Sequence, residues 1–211
     1  MKISVSFITS LDKEKETIKK ITKTNADFIH LDIMDGKFVD AKNYTFSDII
    51  KIIDNSPKKL DVHLMVSNPK QYLSDYASLN AEYITFHYEA VTDPNILIEQ
   101  IKEYGLKVGI SINPDTSVEK IIPFLKDIDQ VLVMSVEPGL GGQQFIDQVI
   151  IKIQALNLLR ENNDYQYIIS VDGGINDQNI QQLKDGNVDM VVVGAYICLS
   201  DNYQTQIDKL R

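Results

Sequence analysis

The feature that most constrains this chain is an alternation. Short runs rich in Val, Ile and Phe recur along it, each followed by a longer stretch with helical periodicity. Strands are predicted near Lys2–Phe7, Phe28–Met34, Lys59–Val66, Tyr83–His87, Lys107–Ile112, Gln130–Met134, Tyr167–Asp172 and Met190–Val193. Between them, Asp12–Thr24 sets Ile18 and Ile21 among charges, the pattern of an amphipathic helix. Ser67-Asn68-Pro69 offers a cap and an N-terminal proline for a helix over Gln71–Leu79. Thr92-Asp93-Pro94 repeats the device before Asn95–Tyr104, which Gly105 ends. Gln144–Asn162 is the longest predicted helix, and Asn176-Asp177 would cap a short one over Gln178–Lys184. Eight strands in 211 residues leave about 26 residues per repeat, room for a strand, two turns and a helix.

Such an alternation permits an open doubly wound sheet or a closed (β/α)8 barrel. An open sheet usually carries a glycine fingerprint at its first βα turn, and Phe7-Ile8-Thr9-Ser10 has no glycine. The glycines cluster after strands six, seven and eight instead, where barrels commonly hold a phosphate. No low-complexity tract or linker interrupts the pattern, so the expectation is one α/β domain over residues 1–211, a (β/α)8 TIM barrel.

The totals narrow the partners. A formal net charge of -9 argues against a nucleic-acid footprint or an anionic membrane surface. A small anionic substrate would then depend on backbone N–H groups or a metal. The single cysteine, Cys198, excludes an intrachain disulfide and suggests a reducing compartment. The first residues lack the apolar core of a signal peptide, and no apolar run approaches the roughly 18 residues of a membrane span. A cytoplasmic protein is expected.

Against that background His30-Leu-Asp-Ile-Met-Asp-Gly36 and Asp61-Val-His-Leu-Met-Val66 stand out. Residues two apart share a face of a strand, so His30, Asp32 and Met34 point one way, as do Asp61, His63 and Met65. A lone histidine at a strand end is commonly a hydrogen-bonded core residue. Two of them on adjacent strands, with Asp32 and the strand-terminal Asp172, form a His2Asp2 set suited to one divalent metal ion, Zn, Fe(II), Mn or Co. His87, followed by Tyr88-Glu89-Ala90, is read as support bonded to a loop and not as a ligand.

Pro138-Gly139-Leu140-Gly141-Gly142-Gln143 would let backbone N–H groups approach an anion. A tight turn is the plainer explanation of one such cluster. Asp172-Gly173-Gly174 and Gly194-Ala195 fall at the same barrel end, and three bare loops together favour a phosphate site. Met34, Met65 and Met134 also end strands there, as core filler or as a water-excluding lining of the site. If Asp32 and Asp172 flank a bound carbon, one can remove a proton and the other return one. Inversion next to a carbonyl follows, through an enediolate that a Lewis-acid metal would stabilise.

These residues resemble the ribulose-phosphate 3-epimerase family. The likeness runs through nearly the whole chain and includes Ile84-Thr-Phe-His-Tyr-Glu-Ala90, Gly109-Ile-Ser-Ile-Asn-Pro-Asp-Thr116, Met134-Ser-Val-Glu-Pro-Gly-Leu-Gly-Gly-Gln-Gln-Phe145 and Val171-Asp-Gly-Gly-Ile175. The resemblance implies a (β/α)8 barrel, a divalent metal and interconversion of D-ribulose 5-phosphate with D-xylulose 5-phosphate. By position, His30, Asp32, His63 and Asp172 would be the ligands, and Asp32 and Asp172 the acid/base pair. Substrate and phosphate would lie against Ser6, His63, Gly139, Leu140, Gly141, Gly142, Asp172, Gly173, Gly174, Gly194 and Ala195. Several positions depart from the family's usual residues: Val5 for Pro, Asp40-Ala41 for Pro-Asn, Leu140 for Phe and Ala195 for Ser. Allulose-6-phosphate 3-epimerase looks similar and shares the metal set, but the paired glycines lean toward the pentulose enzyme. A phosphate-binding barrel without catalysis is the reading from another class. The family often assembles from several copies.

Overall fold

The computed structural model describes residues 1–10 and 12–211. The first half of the chain runs β1 (Lys2–Ser6), α1 (Glu14–Thr22), β2 (Phe28–Met34), α2 (Phe46–Ile53), β3 (Lys59–Met65), α3 (Leu73–Ala77), β4 (Ala81–His87) and α4 (Pro94–Glu103). The second half runs β5 (Lys107–Ile112), β6 (Gln130–Met134), α5 (Val149–Asn163), β7 (Ile168–Asp172), α6 (Ile180–Asp185), β8 (Met190–Val193), α7 (Ala195–Cys198) and α8 (Tyr203–Leu210). The strands pair in parallel in chain order, and β8 returns to β1, so the sheet closes into a (β/α)8 barrel with no free edge.

Each strand sends alternate residues to two different cores. The outward set, with Ile3, Val5, Ile29, Leu31, Ile33, Val62 and Leu64, is wholly apolar and packs under the helices. The inward set is layered. Phe28, Tyr83 and Met190 close the N-terminal end. Above them lie buried polar side chains, among them Ser4, His30, Asp61, His63, Thr85, Ser111 and Ser170. The strand register places His30 beside Asp61 and Asp32 beside His63. Chemistry-bearing residues therefore rise from β2 and β3 at matched heights.

Several helices differ from their sequence-based bounds. α1 starts at Glu14 and not Asp12, because Asp12 takes a left-handed φ of 65°. Asn68 makes no side-chain cap, and a 3-10 turn over Pro69–Tyr72 precedes the short α3. α5 begins at Val149 and not Gln144. The Ile146 N–H donates to Ser135 O at 2.9 Å, which holds that segment on the barrel rim and out of the helix. α6 starts at Ile180, and Asn176 Oδ1 caps the preceding turn by accepting from the Gln178 N–H. The β5–β6 connection has only 3-10 turns, Val118–Lys120 and Ile122–Phe124. Pro123 there lacks the N–H a continuous helix needs. α2, which the alternation alone did not locate, opens on a capping box in which Thr45 and Asp48 exchange side-chain-to-backbone bonds.

Candidate active site

At the C-terminal mouth of the barrel His30, Asp32, His63 and Asp172 each offer one ligand atom, and these atoms all lie within 4.8 Å of one another. The rings come from inside β2 and β3, the carboxylates from β2 and the last residue of β7. His30 turns Nδ1 to Asp61 Oδ2 at 2.8 Å, and the same oxygen accepts from Ser4 Oγ. Its other nitrogen, Nε2, lies 3.2 Å from Asp32 Oδ1 and 3.8 Å from Asp172 Oδ2. That buried atom makes no hydrogen bond. His63 points Nδ1 at the same carboxylates, 3.2 and 3.7 Å away. Ser6 Oγ donates to Asp32 Oδ2 at 2.6 Å. Asn43 ties the β2 end to its loop by donating to Asp32 O and accepting from the Met34 N–H.

The electrostatics follow from four titratable groups sharing a dry space. Burial opposes charge on His30, yet Asp32 and Asp61 raise its ring well above the usual histidine range. Burial would also raise Asp32, but His30 and His63 hold it far below the usual carboxylate range. Burial and the Asp32 charge push Asp172 up to about 7. Burial lowers His63. The unbonded Nε2 of His30 and the converging oxygens fit a cation, since two imidazoles and two carboxylates are a normal donor set for a first-row divalent ion. This buried group could hold a metal ion.

A cavity of about 390 Å³ opens directly above. Ser6, Asp32, Met34, Met65, Met134 and Asp172 line it from the strands, and Gly139, Leu140, Gly141, Gly142, Gly173, Gly174, Gly194 and Ala195 line it from the loops. The three methionines are buried, whereas Leu140 is 71% exposed at the rim. Two glycines are required by local geometry. Gly173 and Gly174 hold φ of +122° and +65°, and a Cβ would strike Val136 at the first and the Phe145 backbone at the second. Gln143 braces the glycine loop by donating through Nε2 to Glu137 O and Leu140 O.

His63, expected to meet substrate, has a fully buried ring and is not among the residues that line the cavity. His87 lies outside the four-residue group and bonds to Glu89 of the following loop. It also reaches His63, Nε2 to Nε2 at 2.8 Å, a contact that chain spacing does not reveal. Asp61, Ser4 and Asn43 were likewise missed as supports. The one available signal was Asp61, a charged residue on the buried face of β3 two residues before His63. Ile8, Thr9, Val136, Glu137, Ile175, Val192 and Tyr196 also line the cavity, and nothing in their spacing marked them as site residues.

A closed parallel barrel with a buried histidine–carboxylate group at its C-terminal mouth defines an enzyme of the (β/α)8 class, with its site where such barrels place chemistry. The model of the "Ribulose-phosphate 3 epimerase family" matches residues 2–198. A ribulose-phosphate 3-epimerase of Helicobacter pylori (strain J99) is 37% identical over 217 aligned positions, covering 100% of this chain and 97% of that protein. One of Treponema pallidum is 42% identical, covering 81% and 78%. The chain belongs to the ribulose-phosphate 3-epimerase family and is an isomerase of the racemase and epimerase class. Among solved structures, a 3-hexulose-6-phosphate synthase from Salmonella typhimurium superposes with a TM-score of 0.69 at 20% identity, over 100% of this chain and 96% of that one. That likeness concerns the fold. No helix among the described residues is long and apolar enough to cross a membrane.

Proposed function

We propose that this protein epimerises carbon 3 of D-ribulose 5-phosphate to give D-xylulose 5-phosphate, with Asp32 and Asp172 as the acid/base pair. The observation that carries this reading is the placement of two carboxylates at the floor of one cavity, opposite glycine-rich loops. His30 Nε2, Asp32, His63 Nδ1 and Asp172 would hold one divalent ion, Zn, Fe(II), Mn or Co, which when bound polarises a substrate carbonyl and lowers the cost of charge on the carbon beside it. The protein supplies the proton transfers. With carbon 3 between the two carboxyl groups, one takes its proton and the other returns a proton on the opposite face. An enediolate separates the two events, and the roles exchange in the reverse direction. Ser6 fixes the Asp32 carboxylate through its 2.6 Å bond. Met34, Met65 and Met134 keep water from the reacting carbon. Backbone N–H groups of the loops after β6, β7 and β8 would take the phosphate, which suits a chain of net charge -9 with few cations to spare. A cytoplasmic location, a single domain over residues 1–211 and assembly from several copies belong to the same reading.

Turnover of D-ribulose 5-phosphate and D-allulose 6-phosphate, before and after metal stripping, tests it. The expected result is preference for the five-carbon substrate, lost with the metal and restored by it. Preference for the six-carbon substrate would change the substrate assignment, and no turnover of either by the metal-loaded protein would overturn the reading.

A further inference from the structure

Glu89, on the loop after β4, is not among the residues of the cavity or of the four-residue group, yet one intervening ring, His87, connects it to His63. Its Oε1 accepts from the Asn113 N–H at 2.9 Å and from Thr116 Oγ1. Oε2 lies 3.3 Å from His87 Nδ1. His87 Nε2 in turn lies 2.8 Å from His63 Nε2, and both rings are fully buried. The loop that supplies the two donors is itself anchored, since Lys152 Nζ on α5 donates to Asn113 O and Thr116 O at 2.7 and 2.6 Å.

Proton placement in this chain follows from donor and acceptor counting. A carboxylate whose one oxygen already receives two donors is ionised and can only accept; its bonds hold Glu89 down to about 2 against the effect of burial. The hydrogen between Glu89 and His87 therefore sits on His87 Nδ1. A neutral imidazole carries one hydrogen, so His87 Nε2 is bare and accepts. The hydrogen between the two rings then belongs to His63 Nε2. That leaves His63 Nδ1 with its lone pair 3.2 Å from Asp32 Oδ1, an approach that is a hydrogen bond only if Nδ1 carries the hydrogen and that in this tautomer requires a cation between the two atoms.

We propose that Glu89 is a positioning residue which, through His87, locks His63 in the tautomer that presents Nδ1 as a metal ligand. The inference rests on the metal reading above. It makes the His63 arm a carboxylate–imidazole–imidazole relay, one ring longer than the Asp61–His30 arm.

The protein has three histidines, so long-range 1H–15N correlation on the zinc-loaded, 15N-histidine-labelled protein resolves each ring. The expected pattern is hydrogen on His87 Nδ1 and on His63 Nε2, with His63 Nδ1 shifted by zinc. Glu89→Gln would place an amide among three donors, disturb that pattern and weaken zinc binding in chelator competition about 10–100-fold. Thr116→Val, which leaves the Glu89–His87 contact, would bind zinc nearly as the parent does. Hydrogen on His87 Nε2 in the parent, with zinc on His63 Nδ1, would overturn the relay alone. Absence of any zinc shift at His63 would contradict the metal reading and the relay with it. A folded Glu89→Gln protein that binds zinc as tightly as the parent would also overturn the proposal. Should that variant fail to fold, the parent spectrum decides.

Discussion

The two sides of the barrel mouth are built on opposite principles. The β2–β4 side carries His30, Asp32, Asp61, His63 and His87, every one buried, and its loops touch the cavity little. The β6–β8 side gives the cavity Gly139, Gly141, Gly142, Gly173, Gly174 and Gly194, with Glu137 the one charged side chain from its loops. Only Asp172, ending β7, crosses the divide and brings a carboxylate to the first side. A charged half must be held rigidly, because each unpaired lone pair in a dry site is costly. Hence the outer bonds to Asp61, Ser4 and His87. A bare half needs only the right backbone shape, and glycine supplies it through positive φ and the absence of Cβ. Proton chemistry and anion binding are thereby separated within one cavity.

The largest effect is expected where the halves meet. Asp172→Asn should reduce turnover by about 10²–10⁴-fold, the usual contribution of a positioned acid or base, while melting temperature and circular dichroism stay near the parent's. Near-parent turnover would show that the charged half works without its partner from β7.

Asp61→Asn weakens the first half from behind. The His30 ring would lose its ionised acceptor, and metal affinity measured by chelator competition should fall about 10–100-fold. Unchanged affinity would mean that His30 is oriented by packing alone.

Gly174→Ala tests the other half. The new Cβ meets the Phe145 backbone at a φ of +65°, so a destabilisation of about 1–3 kcal/mol and a raised Michaelis constant are expected. At Gly142, whose φ is also positive, an added Cβ meets nothing within 4 Å, and Gly142→Ala should disturb stability less. Denaturant titrations that ranked the two variants the other way would reject backbone crowding as the reason for the glycines.

The smallest effect concerns the rim of the charged half. Asp35 joins the loops after β2 and β3 by accepting from the Lys37, Phe38 and Ser67 N–H groups and from Ser67 Oγ. Against the effect of burial those bonds lower it to about 2. A depressed folded-state pKa contributes stability above the unfolded value near 3.8, and that stability is lost as pH falls toward about 2. Asp35→Asn should therefore melt below the parent at pH 5 and converge with it near pH 2. A gap that persisted at pH 2 would place the effect in packing and not in charge.

How much of this was legible in the sequence depends on distance along the chain. The strands fell within two residues of their predicted bounds, because an outward apolar set on each strand must pack under helices. His30, Asp32 and His63 were visible as polar residues where buried strands are ordinarily apolar, and Asp172 as the end of a strand beside two glycines. The supports were not. His87 meets His63, and Asp61 meets His30, through the register of neighbouring strands, which spacing within one strand does not encode. α5 started five residues late for a similar reason, a rim bond from Ile146 to Ser135 that outweighed local helical periodicity.

The most direct test of the central claim is solvent exchange at carbon 3. The metal-loaded protein, incubated with D-ribulose 5-phosphate in D2O and followed by proton NMR, should place deuterium at carbon 3 and accumulate D-xylulose 5-phosphate; Asp172→Asn should accumulate that product about 10²–10⁴-fold more slowly. Substrate that keeps its carbon 3 proton with metal bound to His30 and His63 would contradict the account and leave the protein a binding barrel without this chemistry.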